Sequence, residues 1–189
     1  MEKSYTISVY TENVVGMLNR ITIIFTRRHM NIESITASES EVKDVYRYTI
    51  VVNTTHEQVK KVIGQIEKLV EVLKAFYHQD SELVHQEMAL YKIKTQALSN
   101  SDAEKVIREN HARILTVDKN FIVIEKVGHL HEIKNLFEKL KPFGILEFAC
   151  SGRVAVTKPM KELSTYLQEL EELRNNRRTT IKKKKKKLE

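Results

Sequence analysis

The 189-residue sequence holds one cysteine, two prolines, five glycines and no tryptophan. A lone cysteine, Cys150, excludes a disulfide framework and a thiolate zinc site within one chain, and predicts a reducing cytoplasm. The glycines stand at 16, 64, 128, 144 and 152, never closer than eight apart. A P-loop or dinucleotide loop needs clustered glycines so that backbone amides reach phosphate, and this spacing builds neither. No apolar run approaches the roughly 18 residues of a membrane span, and no apolar signal core follows Met1-Glu-Lys-Ser. One-signed charge is also missing from most of the chain. The formal net charge is +7, yet nine of the 32 basic residues and one of the 25 acids fall in Arg174–Glu189. That stretch carries +8, and the other 173 residues, with 23 bases and 24 acids, carry −1. The basicity that suggests a nucleic-acid partner is therefore a property of one end. A hydrophobic fraction of 41% suits a globular body of one or two domains.

What is present is periodicity. Tyr5, Ile7 and Val9 alternate with Thr6 and Ser8, the period-two pattern of a half-buried strand. Thr11 to Val15 reads as a loop. From Gly16 the spacing becomes helical, with Leu18, Ile21, Ile24 and Phe25 on one face. Ile32–Ala37 and Asp44–Val52 read as a hairpin, Thr55 as the N-cap of a helix striped by Val59, Val62, Ile63, Ile66, Leu69 and Val70, and Val72–His78 as a closing strand. The order then repeats: strand Met88–Thr95, a short helix capped by Ser101 or Asp102, strands Ala112–Asp118 and Asn120–Lys126, a helix carrying Leu130, Ile133, Leu136, Phe137 and Leu140 that stops at Pro142, and strand Ile145–Thr157 bent near Gly152. The fold class is α+β, two ferredoxin-like βαββαβ sandwiches in tandem, at residues 4–79 and 83–158. Polar Asp80–Gln86 reads as the linker. A further helix is expected over 159–175, with Leu163, Tyr166, Leu167, Leu170 and Leu173 in register, and a basic disordered tail over 176–189. Helices on one face of a sheet leave the other face open, and a unit this small buries only about 60% of its unfolded surface. Pairing of units, with a homodimer at least, is the expectation.

Residues for catalysis are scarce. His129-Leu-His131 is a weak metal signal and reads as solvated loop. Cys150, in the apolar run Leu146–Cys150, reads as a buried structural thiol. Glu67, Glu71, Glu169, Glu171 and Glu172 read as exposed helix faces. No acid is paired with a base in a nucleophile or zincin motif.

The first strand-to-helix loop, Thr11-Glu-Asn13-Val-Val-Gly16-Met17-Leu18, stands apart. A glycine opening a helix lets a ligand approach the first free N–H groups, where the dipole favours a carboxylate. Asn13 offers an acceptor and donors to a zwitterion, and Val14, Val15, Met17 and Leu18 offer apolar surface. The same residues also fit an Asx turn leading into a helix with no ligand at all. Residue types alone leave both readings open.

The stretch Ile7-Ser-Val-Tyr-Thr-Glu-Asn13-Val-Val-Gly16-Met-Leu18-Asn-Arg20, with Phe25-Thr-Arg-Arg28 and Asn31-Ile32-Glu-Ser-Ile35, resembles the small regulatory subunit of acetolactate synthase, whose N-terminal part is an amino-acid-sensing ACT domain. Glu87-Met-Ala-Leu-Tyr-Lys-Ile93 and Ile145-Leu-Glu-Phe-Ala-Cys-Ser-Gly-Arg153 resemble the start and end of that subunit's C-terminal domain. The resemblance implies a cytoplasmic protein with no catalysis and no cofactor of its own. Its partner would be a catalytic subunit, a transferase that uses thiamine diphosphate, flavin adenine dinucleotide and Mg²⁺. It further implies activation of that subunit and feedback inhibition by valine between two ACT domains of a homodimer. Asn13, Gly16, Met17 and Leu18 of one chain would face Asn31 and Ile32 of the other. The loop departs from many relatives in its β-branched Val14-Val15 pair. The resemblance assigns nothing to residues beyond 158.

Two competing readings come from other classes. A free-standing ACT-type sensor acting on another enzyme or on transcription is the first, although the body offers no basic helix-turn-helix for a transcriptional role. Nucleic-acid binding through Lys182–Lys187 is the second; no aromatic residue interleaves that run, and its binding would be non-specific and salt-sensitive.

Overall fold

The computed structural model describes residues 1–96, 101–158, 165 and 168–176. Of the expected tail over 176–189, residues 177–189 lie outside the described residues, as does most of the expected helix before residue 168; residue 176 is helical. The elements run β1 (Lys3–Glu12), α1 (Met17–Thr26), β2 (Ser34–Glu39), β3 (Val45–Thr54), α2 (His56–Ile66), β4 (Val72–Gln79), β5 (Leu83–Lys94), α3 (Ser101–Glu109), β6 (Arg113–Val117), β7 (Phe121–Gly128), α4 (Leu130–Leu140), β8 (Ile145–Cys150) and β9 (Val154–Thr157). Two ferredoxin-like units in tandem account for this order. The described residues divide into one compact unit of residues 1–84 with those from 155 onward, and a second drawn from 85–154. The stretch read as a linker is ordered: Asp80–Glu82 forms a 3-10 turn and β5 begins at Leu83.

In the first unit the sheet order is β2-β3-β1-β4, antiparallel throughout. Ile7 stands between Ile50 and Tyr77 in this register. Tyr5, Ile7 and Val9 face the helices and pack with Met17, Ile21 and Phe25 of α1 and Val59, Val62 and Ile66 of α2. Thr55 caps α2 as its residue type predicts, its side chain accepting from the Gln58 N–H. At the end of β1 the β4 register slips, Tyr10 facing Lys74 and Thr11 facing Val72. The skipped residue, Leu73, turns to the opposite face of the sheet, as a bulge requires.

That opposite face is not open, contrary to the expectation from sequence. Thr6, Ser8, Tyr10 and Thr49 are all buried, Thr6 to 1% exposure. Residues from the far end of the chain lie on it. The Arg47 guanidinium donates to the Ala155 carbonyl at 2.5 Å, and Lys74 meets Glu169 at 3.4 Å. Residues 168–176 are helical, and Leu170 is fully buried against Tyr10, Val42, Val45 and Leu73 with Phe76 beside it.

In the second unit the sheet path is β6-β7-β5-β8. Ala89, Tyr91 and Ile93 of β5 alternate into a core with Ile122 and Ile124 of β7, Ile107 of α3 and Ile133, Leu136 and Leu140 of α4. The Tyr91 hydroxyl, buried among apolar side chains, donates to the Ile133 carbonyl at 2.8 Å. Burial raises its pKa, so the group stays protonated and holds that bond. Here the other sheet face is open, with Met88 and its partner Val127 both exposed.

Candidate functional site

The loop between β1 and α1 is held from both sides by backbone. The Glu12 N–H donates to the Glu71 carbonyl at 2.9 Å, and the Asn13 N–H donates to the Asp44 carbonyl at 3.0 Å. Asp44 sits in the left-handed region at φ 63°, in the turn that joins β2 to β3. A turn of backbone follows, the Val14 N–H donating to Glu12 at 3.0 Å and the Met17 N–H to Val14 at 3.3 Å. Gly16 is the N-cap of α1 and is also left-handed, φ 86° and ψ 1°, a conformation that costs a side-chain-bearing residue. The first helical bond runs from the Arg20 N–H to the Gly16 carbonyl at 3.1 Å. The amides of Leu18 and Asn19 precede it, as first-turn amides that a helix leaves without an intrahelical partner, and donate to no backbone carbonyl among the described residues.

The electrostatics favour an anion at this helix start. α1 carries no acidic residue in its first turn and no side-chain cap, so the positive end of its dipole is not answered within the helix. Sterically the loop is open. Nothing lies within 4 Å of where a Cβ on Gly16 would sit, and Val15 is 99% exposed. Asn13 is exposed and makes no side-chain hydrogen bond among the described residues. The turn is made by main chain, not by an Asx contact.

The candidate residues fall into two places and two kinds. Asn13, Gly16 and Leu18 share this open surface. Met17 belongs to the core at 1% exposure, so only its backbone borders the loop. Asn31 lies in the connection from α1 to β2 and is exposed; Ile32 beside it is half-buried against the core. That connection is shaped by His29 at φ 51° and by the Met30 N–H donating to Phe25 at 3.0 Å. β2, which Asn31 leads into, is an edge strand.

Sequence reasoning missed the loop's anchors. Glu71, read as an exposed helix residue, follows α2, holds Glu12 through its carbonyl, and pairs with Arg20 through its carboxylate. Carbonyl anchors of this kind carry no residue-type signal. Separately, two open grooves of about 490 and 520 Å³ lie beside the later turns of α1, bordered by Ile24, Arg27, Lys68 and Leu69 in common.

In the second unit, His129 is the N-cap of α4 and His131 lies in its first turn; both are exposed, as the solvated reading expects. The Glu132 carboxylate accepts from the His129 N–H at 2.7 Å, which holds the Glu132 carboxyl below the usual range. Among the described residues no group of three or more His, Cys, Asp or Glu is disposed to hold a metal. Cys150 is exposed, where a buried thiol was expected. The reason is topological: β8 is the edge strand of its sheet, and apolar sequence does not guarantee cover at an edge. Partial burial of the sulfur and the Glu87 carboxylate at 3.9 Å push the thiol upward, away from the thiolate a nucleophile needs. Glu87 is itself pushed up by burial, against the pull of Arg153 at 3.8 Å.

Comparison with known proteins agrees with this architecture. Residues 86–159 match the family model for the small subunit of acetolactate synthase, and residues 7–74 match that for the AHAS small subunit-like ACT domain. The acetolactate synthase small subunit of Bacillus subtilis is 35% identical over 159 residues, 84% of this chain and 91% of that protein. Its counterpart in Mycobacterium bovis is 32% identical over 163 residues, 86% of this chain and 97% of that protein. The crystal structure of the acetolactate synthase small subunit from Thermotoga maritima superposes with a TM-score of 0.76 at 25% identity, covering 84% of this chain and 99% of that one. The chain belongs to the family of acetolactate synthase small subunits.

Proposed function

We propose that this chain is the non-catalytic regulatory subunit of a cytoplasmic acetolactate synthase. It activates a thiamine-diphosphate-dependent catalytic subunit and confers feedback inhibition by valine. The observation that carries the effector reading is the start of α1: a left-handed Gly16 with open space off its Cα, ahead of a helix whose first turn holds no acid. The valine carboxylate meets the amides of Leu18 and Asn19, and Asn13 takes part of the polar end. A buried ligand site covers most of its ligand, whereas this loop offers one wall. A second copy joined beside the β2 edge supplies the other, with its Asn31 and Ile32. Thiamine diphosphate, flavin adenine dinucleotide and Mg²⁺ belong to the catalytic subunit in this reading, since the chain has no glycine-rich phosphate cradle of its own.

Valine inhibits only if it binds one state of the complex more tightly than the other, with about 1–3 kcal/mol the usual coupling. The test pairs an activity assay of the catalytic subunit, with and without this chain and valine, with calorimetry on wild type, Asn13→Ala and Asn31→Ala. Stimulation, valine inhibition and loss of binding in both variants support the proposal. No stimulation removes the regulatory reading; equal valine binding by all three proteins removes these residues from the site.

A further inference from the structure

The helical residues 168–176 lie beyond both spans that match the family, 7–74 and 86–159. They nevertheless reach the turn that holds the loop assigned above to the effector. Leu170 is fully buried in a pocket of Tyr10, Val42, Val45 and Leu73, which joins the last turn of β1 to the connection between β2 and β3. One turn on, the Arg174 guanidinium pairs with the Asp44 carboxylate. Asp44 is the residue whose carbonyl accepts from the Asn13 N–H at 3.0 Å. Its neighbour Val45 lies opposite Glu12 in the β1–β3 ladder. The β2–β3 connection has its own bonds, the Ser40 N–H to Val45 at 2.8 Å and the Val42 N–H to the Ser40 hydroxyl at 3.1 Å. This hydrogen-bonded connection thus has the C-terminal helix on one side and the effector loop on the other.

We propose that the C-terminal helix is a brace for the effector loop: docking of Leu170 and Arg174 fixes the Asp44 turn, and the Asp44 turn fixes Asn13. Arg174 is a positioning residue, acting through Asp44 and not on the ligand. Binding at the loop and docking of the helix are then coupled, and the coupling is reciprocal. The effector tightens the helix on the sheet, and loss of the helix weakens the effector. The inference rests on the effector reading for its functional half and stands without it for its structural half.

The test compares the full chain with Arg174→Ala, Arg174→Lys and a chain ending at residue 167. Two quantities are read: amide hydrogen exchange, and calorimetric valine affinity. Exchange at the Asn13 amide rises roughly fivefold or more in Arg174→Ala and in the shortened chain, and less in Arg174→Lys. Valine binds several-fold more weakly to the same two proteins, and valine added to the full chain slows exchange in 168–176. Should the shortened chain lose protection throughout β1, it has unfolded, and Arg174→Ala, which keeps Leu170 in its pocket, decides. Unchanged exchange at Asn13 in Arg174→Ala overturns the brace whatever valine does. Faster exchange at Asn13 with unchanged valine affinity overturns the coupling. If the full chain binds no valine, the effector assignment fails, while the exchange at Asn13 still decides the brace.

Discussion

Gly16 tests two claims with one residue, because its backbone and its surroundings make different demands. The backbone sits at φ 86°, and no atom lies within 4 Å of a Cβ placed there. Gly16→Ala therefore introduces no clash, and its cost is conformational. A left-handed residue with a side chain costs about 1–2 kcal/mol, and alanine recovers about 0.4–1 kcal/mol by restricting the unfolded chain. The net is a loss of about 1 kcal/mol in the first unit, about fivefold in an opening equilibrium. Gly16→Asn keeps a side chain but tolerates the left-handed region, so it loses less stability. Valine binding separates differently. If the valine carboxylate approaches the Leu18 and Asn19 amides as proposed, both side chains stand in its way, and both variants are expected to bind valine poorly. Native-state hydrogen exchange at the buried β1 amides reads the stability of this unit on its own, and calorimetry reads the ligand. Equal β1 exchange in wild type and Gly16→Ala refutes the conformational argument. Full valine affinity in Gly16→Asn refutes close approach at this position and leaves Gly16 a structural residue only.

Other perturbations probe the second unit. Tyr91→Phe removes the buried hydroxyl that donates to Ile133 at 2.8 Å and costs about 0.5–1.5 kcal/mol, read as faster exchange at the β7 amides. Glu87 has its folded pKa raised, mainly by burial. The native state therefore holds the proton more tightly, and this contribution to stability is present below the ordinary carboxylate range and lost as pH rises through the raised value. Urea midpoints of Glu87→Gln, measured from about pH 4 to pH 8, vary less with pH than those of wild type; an identical slope in the two proteins refutes the assignment.

The elements that could be read from sequence are those with a clean period. β1 alternates, and the expected α2 stripe is buried at Val59, Val62, Ile63 and Ile66, but the helix ends there, so Leu69 is only half-buried and Val70 is exposed. Gly152 falls in the break between β8 and β9. What could not be read has a common cause in long-range return of the chain. Thr6 and Ser8 look solvent-facing because they are polar, yet the face they occupy is buried. Their burial depends on what lies on that face, and Ala155, Glu169 and Leu170 come to it from far along the chain. Periodicity registers which residues share a face but not what arrives to cover it. The site shows the same division. Asn13 and Gly16 announce themselves by type, but the carbonyls of Asp44 and Glu71 that hold their loop do not. Any residue has a carbonyl.

If the effector site is shared by two chains, as proposed, exchanging subunits between variants reveals what single variants cannot. In a two-fold dimer the same pair of surfaces meets twice. One site takes Asn13 from the first chain and Asn31 from the second, and the other takes the reverse. Asn13→Ala alone and Asn31→Ala alone each spoil both sites of a homodimer. When the two variant proteins are mixed and allowed to exchange subunits, a mixed dimer gathers both defects into one site and leaves the other intact. Roughly half of the dimers are mixed at random exchange, so the mixture recovers about one valine site for every four chains. The recovery is seen by calorimetry as a reduced stoichiometry at wild-type affinity. If Asn13 and Asn31 of one chain served the same site, every site in the mixture would carry a defect and no binding would return. Wild-type affinity at reduced stoichiometry requires the shared site, and its absence in a mixture shown to have exchanged subunits refutes it.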